Sequence, residues 1–280
     1  CRSCGMCVLG CRYGAKWTAQ KFIGEARKAG AKLITETSVE EVLHSDGEVK
    51  GVRVRSSSGV SEISAENVVL AAGGLGTSMI LQRSGLDNAR GNLFADLLVN
   101  TYGIIKEGNM KEEIGMATII DEFHEKYGFI LSPILDTPLD MFLYLPLFKK
   151  TRAFKRQRTL GLMTKITDDD DGKIDVNGRL YKPVTKNDRE KLDKGVEISK
   201  EILLQAGVNP KSFYTTRVRG GHPGGTAGMG RVVNTDHETE ISRLFVSDAS
   251  IFPKAPGAPP VLTIIAVSKR FSKKLVAEYI

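Results

Sequence analysis

The stretch Val68-Val69-Leu70-Ala71-Ala72-Gly73-Gly74 constrains this chain more than any other. An unbroken aliphatic run of this length reads as a strand buried on both faces, the habit of parallel sheets. It runs directly into glycines, and a helix is predicted over 77–84, stopped by Gly85. Strand, glycine turn and helix start together form the geometry by which doubly wound folds bring a nucleotide up to backbone N–H groups. The GxGxxG fingerprint is absent. Ordinary βαβ packing is therefore the other reading of these residues.

A second strand-turn-helix lies near the end. Residues 244–253 read as a short buried strand closing on an acid and small residues, Pro256-Gly257-Ala258-Pro259-Pro260 as a turn, and 261–267 as a helix. Backbone N–H groups at such a helix start can meet an anionic or carbonyl group. Just ahead, Gly220-Gly221-His222-Pro223-Gly224-Gly225-Thr226-Ala227-Gly228-Met229-Gly230 sets one histidine among glycines. Histidine as a residue type suits proton transfer near neutral pH, and with little bulk beside it His222 could take or give a proton against something flat or large. A glycine-rich surface loop with an incidental histidine is the alternative.

This ending, His222-x-x-Gly225-Thr226-x-x-Met229-Gly230 followed by Phe245-Val246-Ser247-Asp248-Ala249-Ser250-Ile251-Phe252-Pro253, resembles the C-terminal signature of the glucose-methanol-choline (GMC) flavoprotein oxidoreductases. The likeness is strong over 221–280, fair over 1–95 and weak between. It implies an α/β (α+β) fold with two parts. One is a doubly wound FAD-binding domain built from 1–95 and 221–280, incomplete because the family's fingerprint lies upstream. The other is a sheet-plus-helix substrate domain over 96–220. The resemblance also implies that His222 faces the flavin as the base in oxidation of a small-molecule alcohol. Asp248 and Ala249 would lie along the flavin, with Ala71, Ala72 and Gly73 beside the dinucleotide. Val39 would fall in the part that reaches the adenine, and Pro260 and Val261 at the helix start that meets the cofactor. One residue departs from the family. Pro259 stands where a second histidine or asparagine is usual, and proline has no polar side-chain atom to handle a proton.

All four cysteines fall within the first eleven residues, as Cys1-x-x-Cys4-x-x-Cys7-x-x-x-Cys11. That spacing is the bacterial ferredoxin pattern for iron–sulfur ligation, with Arg12 where the pattern has proline. Zinc in a four-thiolate site is another reading, and free thiols or disulfides the remaining one. Cysteine-rich segments ahead of a Gly-Ala-Lys triplet, here Gly14-Ala15-Lys16, also occur in some GMC members, where the region lies near the flavin and its cysteines need not bind metal. If a cluster is present, reduced flavin would pass electrons through it to an acceptor protein or a quinone, making a dehydrogenase of the cytoplasm or the membrane periphery. Two other readings follow from the same residues: an iron–sulfur or zinc module without catalysis, and one subunit of a split flavoenzyme. The chain opens on cysteine rather than methionine, which reads as a start inside a longer polypeptide.

The middle of the chain is patterned differently. Residues 141–148 are apolar, and Lys149, Lys150, Arg152, Lys155, Arg156 and Arg158 follow at once. This is a core segment beside a solvated face or, over 141–158, a wedge with a basic collar for a peripheral membrane contact or a roof over an apolar substrate pocket. Residues 185–206 read as an amphipathic helix with Leu192, Val196 and Leu203 on one face, Thr185 and Asp188 as its cap, and Gly207 as its stop. Helical spacing is predicted over 17–29, with Phe22, Ala26 and Ala29 on one side. A strand is predicted over 32–37, and a hairpin from 49–55 and 60–63. The net charge of +7 comes with no nucleic-acid motif, and no apolar run reaches transmembrane length. His44, His124 and His237 have polar neighbours and read as surface residues.

Overall fold

The computed structural model describes residues 1–4, 7, 10–110, 115–145 and 147–280, with side chains set aside at 138, 148, 149 and 152–154. Within the apolar-basic stretch, Pro146 and the side chains of Phe148, Lys149 and Arg152 thus lie outside the described residues. In chain order the elements are α1 (Gln20–Lys28), β1 (Ser38–Ser45), β2 (Glu48–Ser56), β3 (Gly59–Ser64), β4 (Val68–Leu70) and α2 (Gly73–Arg83). Then come β5 (Leu98–Ile104), α3 (His124–Tyr127), β6 (Phe129–Pro133), α4 (Pro138–Tyr144), β7 (Thr159–Ile166), β8 (Lys173–Ile174) and β9 (Leu180–Tyr181). The last are α5 (Lys186–Gln205), β10 (Tyr214–Thr215), β11 (Leu244–Val246) and α6 (Val261–Tyr279). The fold class is mixed α/β, as the sequence predicts.

The chain forms two compact units. One comprises Thr35–Leu97, Thr167–Asp188 and Gly220–Ile280, and the other Cys1–Ile34, Leu98–Ile166 and Arg189–Arg219.

In the first unit, β4 and β11 pair in parallel, with Leu244 opposite Val68 and Val246 opposite Leu70. Their alternate residues close on Leu81, Leu86, Ile241 and Ile251 to make the core. Val69 is 40% exposed, so β4 is buried on one face rather than two. The predicted hairpin forms, β2 with β3, turning between Ser56 and Gly59. Helix α2 begins at Gly73, four residues before the predicted start, and glycine makes that possible. A Cβ on Gly74 would sit 2.3 Å from the carbonyl oxygen of Pro223.

In the second unit, the antiparallel sheet runs β10-β5-β7-β6. Helix α5 lies so close on β7 that a Cβ at Gly195 would meet the Thr164 methyl at 2.1 Å. Leu203 of this helix packs with Ile105, Leu162 and Val208. The predicted cap of α5, whose residues fall in the first unit, is present. Thr185 N–H donates to Asp188 Oδ2 at 3.1 Å, and Asp188 N–H to Thr185 Oγ1 at 3.0 Å.

Three expectations are corrected. Helix α1 spans only Gln20–Lys28 and buries none of its residues, Phe22 being 49% exposed. Residues 32–37 form no strand; Leu33 and Ile34 are each 51% exposed, and pairing begins only at Ser38. β-Branched residues supply propensity, but without a ladder partner propensity does not make a strand. His237 is fully buried, not superficial: its ring stacks on Phe271 at 4.8 Å, and Nδ1 lies 2.9 Å from the Val246 carbonyl. Burial holds its pKa below the usual histidine range.

Candidate functional site

Residues 92–96 have no regular secondary structure of several residues, yet they organise the site. Leu93 pairs with Gly172 and Phe94 with Gly224, each through a single antiparallel bridge. The Ala95 carbonyl accepts from both Gly221 N–H (2.8 Å) and His222 N–H (3.1 Å). Ala95 N–H in turn donates to Asp168 Oδ2 at 3.0 Å. Asp168 is buried and Lys182 Nζ lies 3.2 Å away; burial pushes its carboxyl up in pKa, while the Ala95 N–H and Lys182 pull it down.

The His222 loop is therefore fixed at its backbone. From Gly224 onward it runs beside the turn after β11: Gly225 N–H donates to Ala249 O, Ala227 N–H to Ser250 O and Met229 N–H to Ile251 O. Thr226 O–H bonds the Gly74 carbonyl at 2.8 Å. The glycines serve this contact. Gly225 holds φ at +86°, and a Cβ there would meet the Asn92 carbonyl at 2.3 Å. The missing bulk is thus used for backbone packing within the chain, beyond the single purpose of opening space around the histidine.

The histidine side chain is 38% exposed, and its Nδ1 lies 3.2 Å from Oδ2 of the wholly buried Asp96. The other Asp96 oxygen accepts from Gly257 N–H at 3.3 Å. Asp96 thereby joins the histidine loop to the turn that leads into α6. Sequence reasoning missed it, since it was placed at the edge of a domain boundary between 95 and 96. A signal was nonetheless available. Phe94-Ala95-Asp96-Leu97-Leu98 is an apolar run broken by one acid, and an acid so placed needs a partner.

The two strand ends are tied by Asp248. Its Oδ2 accepts from Gly73 N–H (2.8 Å) and Thr77 O–H (2.6 Å), and its Oδ1 from Ser250 N–H (2.8 Å) and Ser250 O–H (2.6 Å). Ala71, Ala72, Gly73, Asp248 and Ala249 are thus brought together, with the Asp248 carboxylate engaged inward. Ala71 and Ala72 are exposed, and a Cβ at Gly73 (φ +77°) would meet nothing within 4 Å. Pro260 is buried at the N-cap of α6 and Val261 is exposed. Among the described residues no side chain caps the first turn of that helix. Strand ends that carry little side-chain bulk and a helix start without a side-chain cap are each features that fit a flavin dinucleotide, which needs a flat floor and backbone N–H donors. Val39 lies in β1, packed half-buried on the core. Pro259 is exposed.

The cysteines are not brought together. Cys1 is exposed, and Cys4, Cys7 and Cys11 are partly exposed free thiols. Among the described residues no three of His, Cys, Asp and Glu are grouped to hold a metal ion. Three backbone N–H groups, those of Tyr13, Ala15 and Lys16, hold the Cys11 thiol below its usual pKa. The donor set as placed does not fit a cluster or a zinc ion, because such sites need four thiolates converging on one point.

A flavin-dependent oxidoreductase fold is what this frame defines, and comparison with known proteins agrees. Residues 1–108 and 163–268 match the two GMC oxidoreductase family domains, amino-terminal and carboxyl-terminal respectively. The chain belongs to the GMC oxidoreductase family, whose cofactor is FAD. An uncharacterized protein of Methanocaldococcus jannaschii is 31% identical, over 99% of this chain and 68% of that one. A long-chain-alcohol oxidase of Arabidopsis thaliana is 25% identical over 95% of this chain and 45% of its own length. Among solved structures, pyridoxine 4-oxidase from Mesorbium loti superposes with a TM-score of 0.65 at 20% identity, over 87% of this chain and 58% of that one. A formate oxidase of Aspergillus oryzae, examined for FAD modification, gives 0.70 at 17% identity, over 89% and 61%. The chain thus spans about half to two thirds of the relatives it matches. Among the described residues no helix is long and apolar enough to cross a membrane.

Proposed function

We propose that this chain is the catalytic portion of an FAD-dependent oxidoreductase acting on the CH–OH group of an alcohol, with His222 as the base. The observation that carries the reading is His222 itself, part-exposed, with its backbone and Nδ1 both fixed from residues 95 and 96. FAD, when bound, supplies the hydride acceptor, so the alcohol carbon loses hydride and becomes a carbonyl while the hydroxyl proton leaves for a base. His222 takes that proton, and the buried Asp96 carboxylate favours the imidazolium that results. Ala71, Ala72, Gly73 and Ala249 would lie under the cofactor, with the first turn of α6 at Val261 offering N–H donors. Asp248 would act from behind, by holding the two strand ends level. Pro259 offers no second proton carrier, so proton handling rests on His222.

Relatives named as long-chain-alcohol oxidases and as cholesterol oxidase make long-chain and sterol alcohols the first substrates to try. Relay of electrons through Cys1, Cys4, Cys7 and Cys11 is not part of this reading, because the thiols do not form a donor set. The test is anaerobic. The full-length protein should carry flavin whose visible bands bleach on adding a long-chain alcohol. His222→Gln should hold flavin and fail to bleach. A wild-type protein that carries no flavin, or a His222→Gln variant that bleaches at the parental rate, would refute the proposal. Running the reoxidation in oxygen and then with a dye acceptor separates oxidase from dehydrogenase.

A further inference from the structure

We infer that Asp96 is the positioning residue that fixes the tautomer of His222; this rests on the reading of His222 as the base. The Asp96 side chain is wholly buried, and its backbone sits at φ +47°, in the left-handed region that non-glycine residues seldom enter. Aspartate tolerates that conformation better than most, and it persists only where the surroundings over-determine it. Here they do. Ala95 is held by Asp168 on its N–H side and by two loop N–H groups on its carbonyl. The left-handed turn then delivers the Asp96 carboxylate between two targets, His222 Nδ1 at 3.2 Å and Gly257 N–H at 3.3 Å.

An ionised carboxylate only accepts hydrogen bonds, so the partner ring nitrogen must carry the proton. Nδ1 is then the N–H and Nε2 the basic nitrogen, the state a proton-accepting imidazole needs. The hold on Gly257 matters equally, because it decides which way an amide would turn. In Asp96→Asn the amide oxygen stays on Gly257 N–H and the NH2 faces His222. That arrangement makes Nδ1 the acceptor and moves the ring proton to Nε2, which removes the basic site. The nearby charges are the buried Asp168 with Lys182 beside it, and Asp171 and Asp188, which lie 3.4 and 3.8 Å from the same ammonium.

The tautomer can be read without turnover. In long-range 1H–15N spectra of the full-length protein, four imidazoles come from this chain, and His222→Gln identifies the one that matters. The expected wild-type spectrum shows His222 with Nδ1 protonated and Nε2 bare. The expected Asp96→Asn spectrum shows the reverse. In the same variant kcat should fall about 10³-fold or more, with KM and flavin content near parental. A wild-type His222 protonated on Nε2 would overturn the inference whatever the variants do, including an Asp96→Asn that fails to fold. So would an Asp96→Asn variant that keeps the parental tautomer and a kcat within twofold. Loss of turnover in His222→Gln is read separately and bears on His222 as base, so the two ideas can fail independently.

Discussion

The His222 loop and the cysteine segment at 1–11 look alike in the sequence, since each is a short stretch that combines glycines with chemistry-bearing side chains. They differ in what their backbones do. The loop's N–H groups at 221, 222, 224, 225, 227 and 229 all reach carbonyls of residues 94–95 or 249–251, and Thr226 reaches Gly74. Around the cysteines the contacts among the described residues are local, such as Gly14 N–H to Cys11 O and Lys16 Nζ to the Cys7 carbonyl, and the neighbouring helix α1 buries nothing. Density of chemistry-bearing residues is therefore a poor guide by itself. A motif becomes a site when distant backbone holds it in one geometry.

That contrast can be broken in graded steps. The largest effect is expected from His222→Gln, which leaves the loop backbone intact but cannot accept a proton; kcat should drop about 10²–10⁴-fold with flavin still bound, by stopped-flow reduction. Next is Gly74→Ala. The added carbon meets the Pro223 carbonyl at 2.3 Å, so α2 and the loop must part. A loss of about 2–3 kcal/mol in denaturant unfolding is expected. Thr77→Val should cost about 1–3 kcal/mol, because it removes the O–H donor and leaves Asp248 Oδ2 one bond short in a buried place.

His237 supplies the pH handle. Its folded pKa lies below the ordinary 6.5, so the unfolded chain binds the proton more readily. Stability from this residue is full above about pH 6.5 and falls as pH drops from there toward the depressed folded value. The acid slope of the unfolding curve should be shallower in His237→Asn. Smallest of all is Ser at Cys1, Cys4, Cys7 and Cys11 together, expected to move stability within about 0.5 kcal/mol. A larger change, or iron in the wild type that this variant lacks, would give the segment the fixed geometry denied it above.

Legibility followed the range of the forces involved. The β2–β3 hairpin and the Thr185–Asp188 cap were readable because both are set by residues a few positions apart. The β4 and β11 strands were readable from their apolar runs, though Val69's exposure was not, since face burial depends on neighbours far along the chain. His237 reads as superficial between Asp236 and Glu238, yet Phe271, from α6, stacks on its ring and the Val246 carbonyl meets its Nδ1. Asp96 was harder still. Its segment has no period to detect, being joined to the rest by single bridges and shaped by two left-handed residues, Asn92 and Asp96. His222 stood out because glycines on both sides are unusual, but the acid behind it lies 126 positions away.

Asp248 has a mechanical consequence as well. Four donors from Gly73, Thr77 and Ser250 converge on its carboxylate, so the ends of β4 and β11 cannot move apart without leaving a buried charge unsolvated. The two edges should behave as one stiff plate, like boards joined by a single dowel. In amide hydrogen exchange, Gly73 and Ser250 should then open together and at the same rate, although 177 positions separate them.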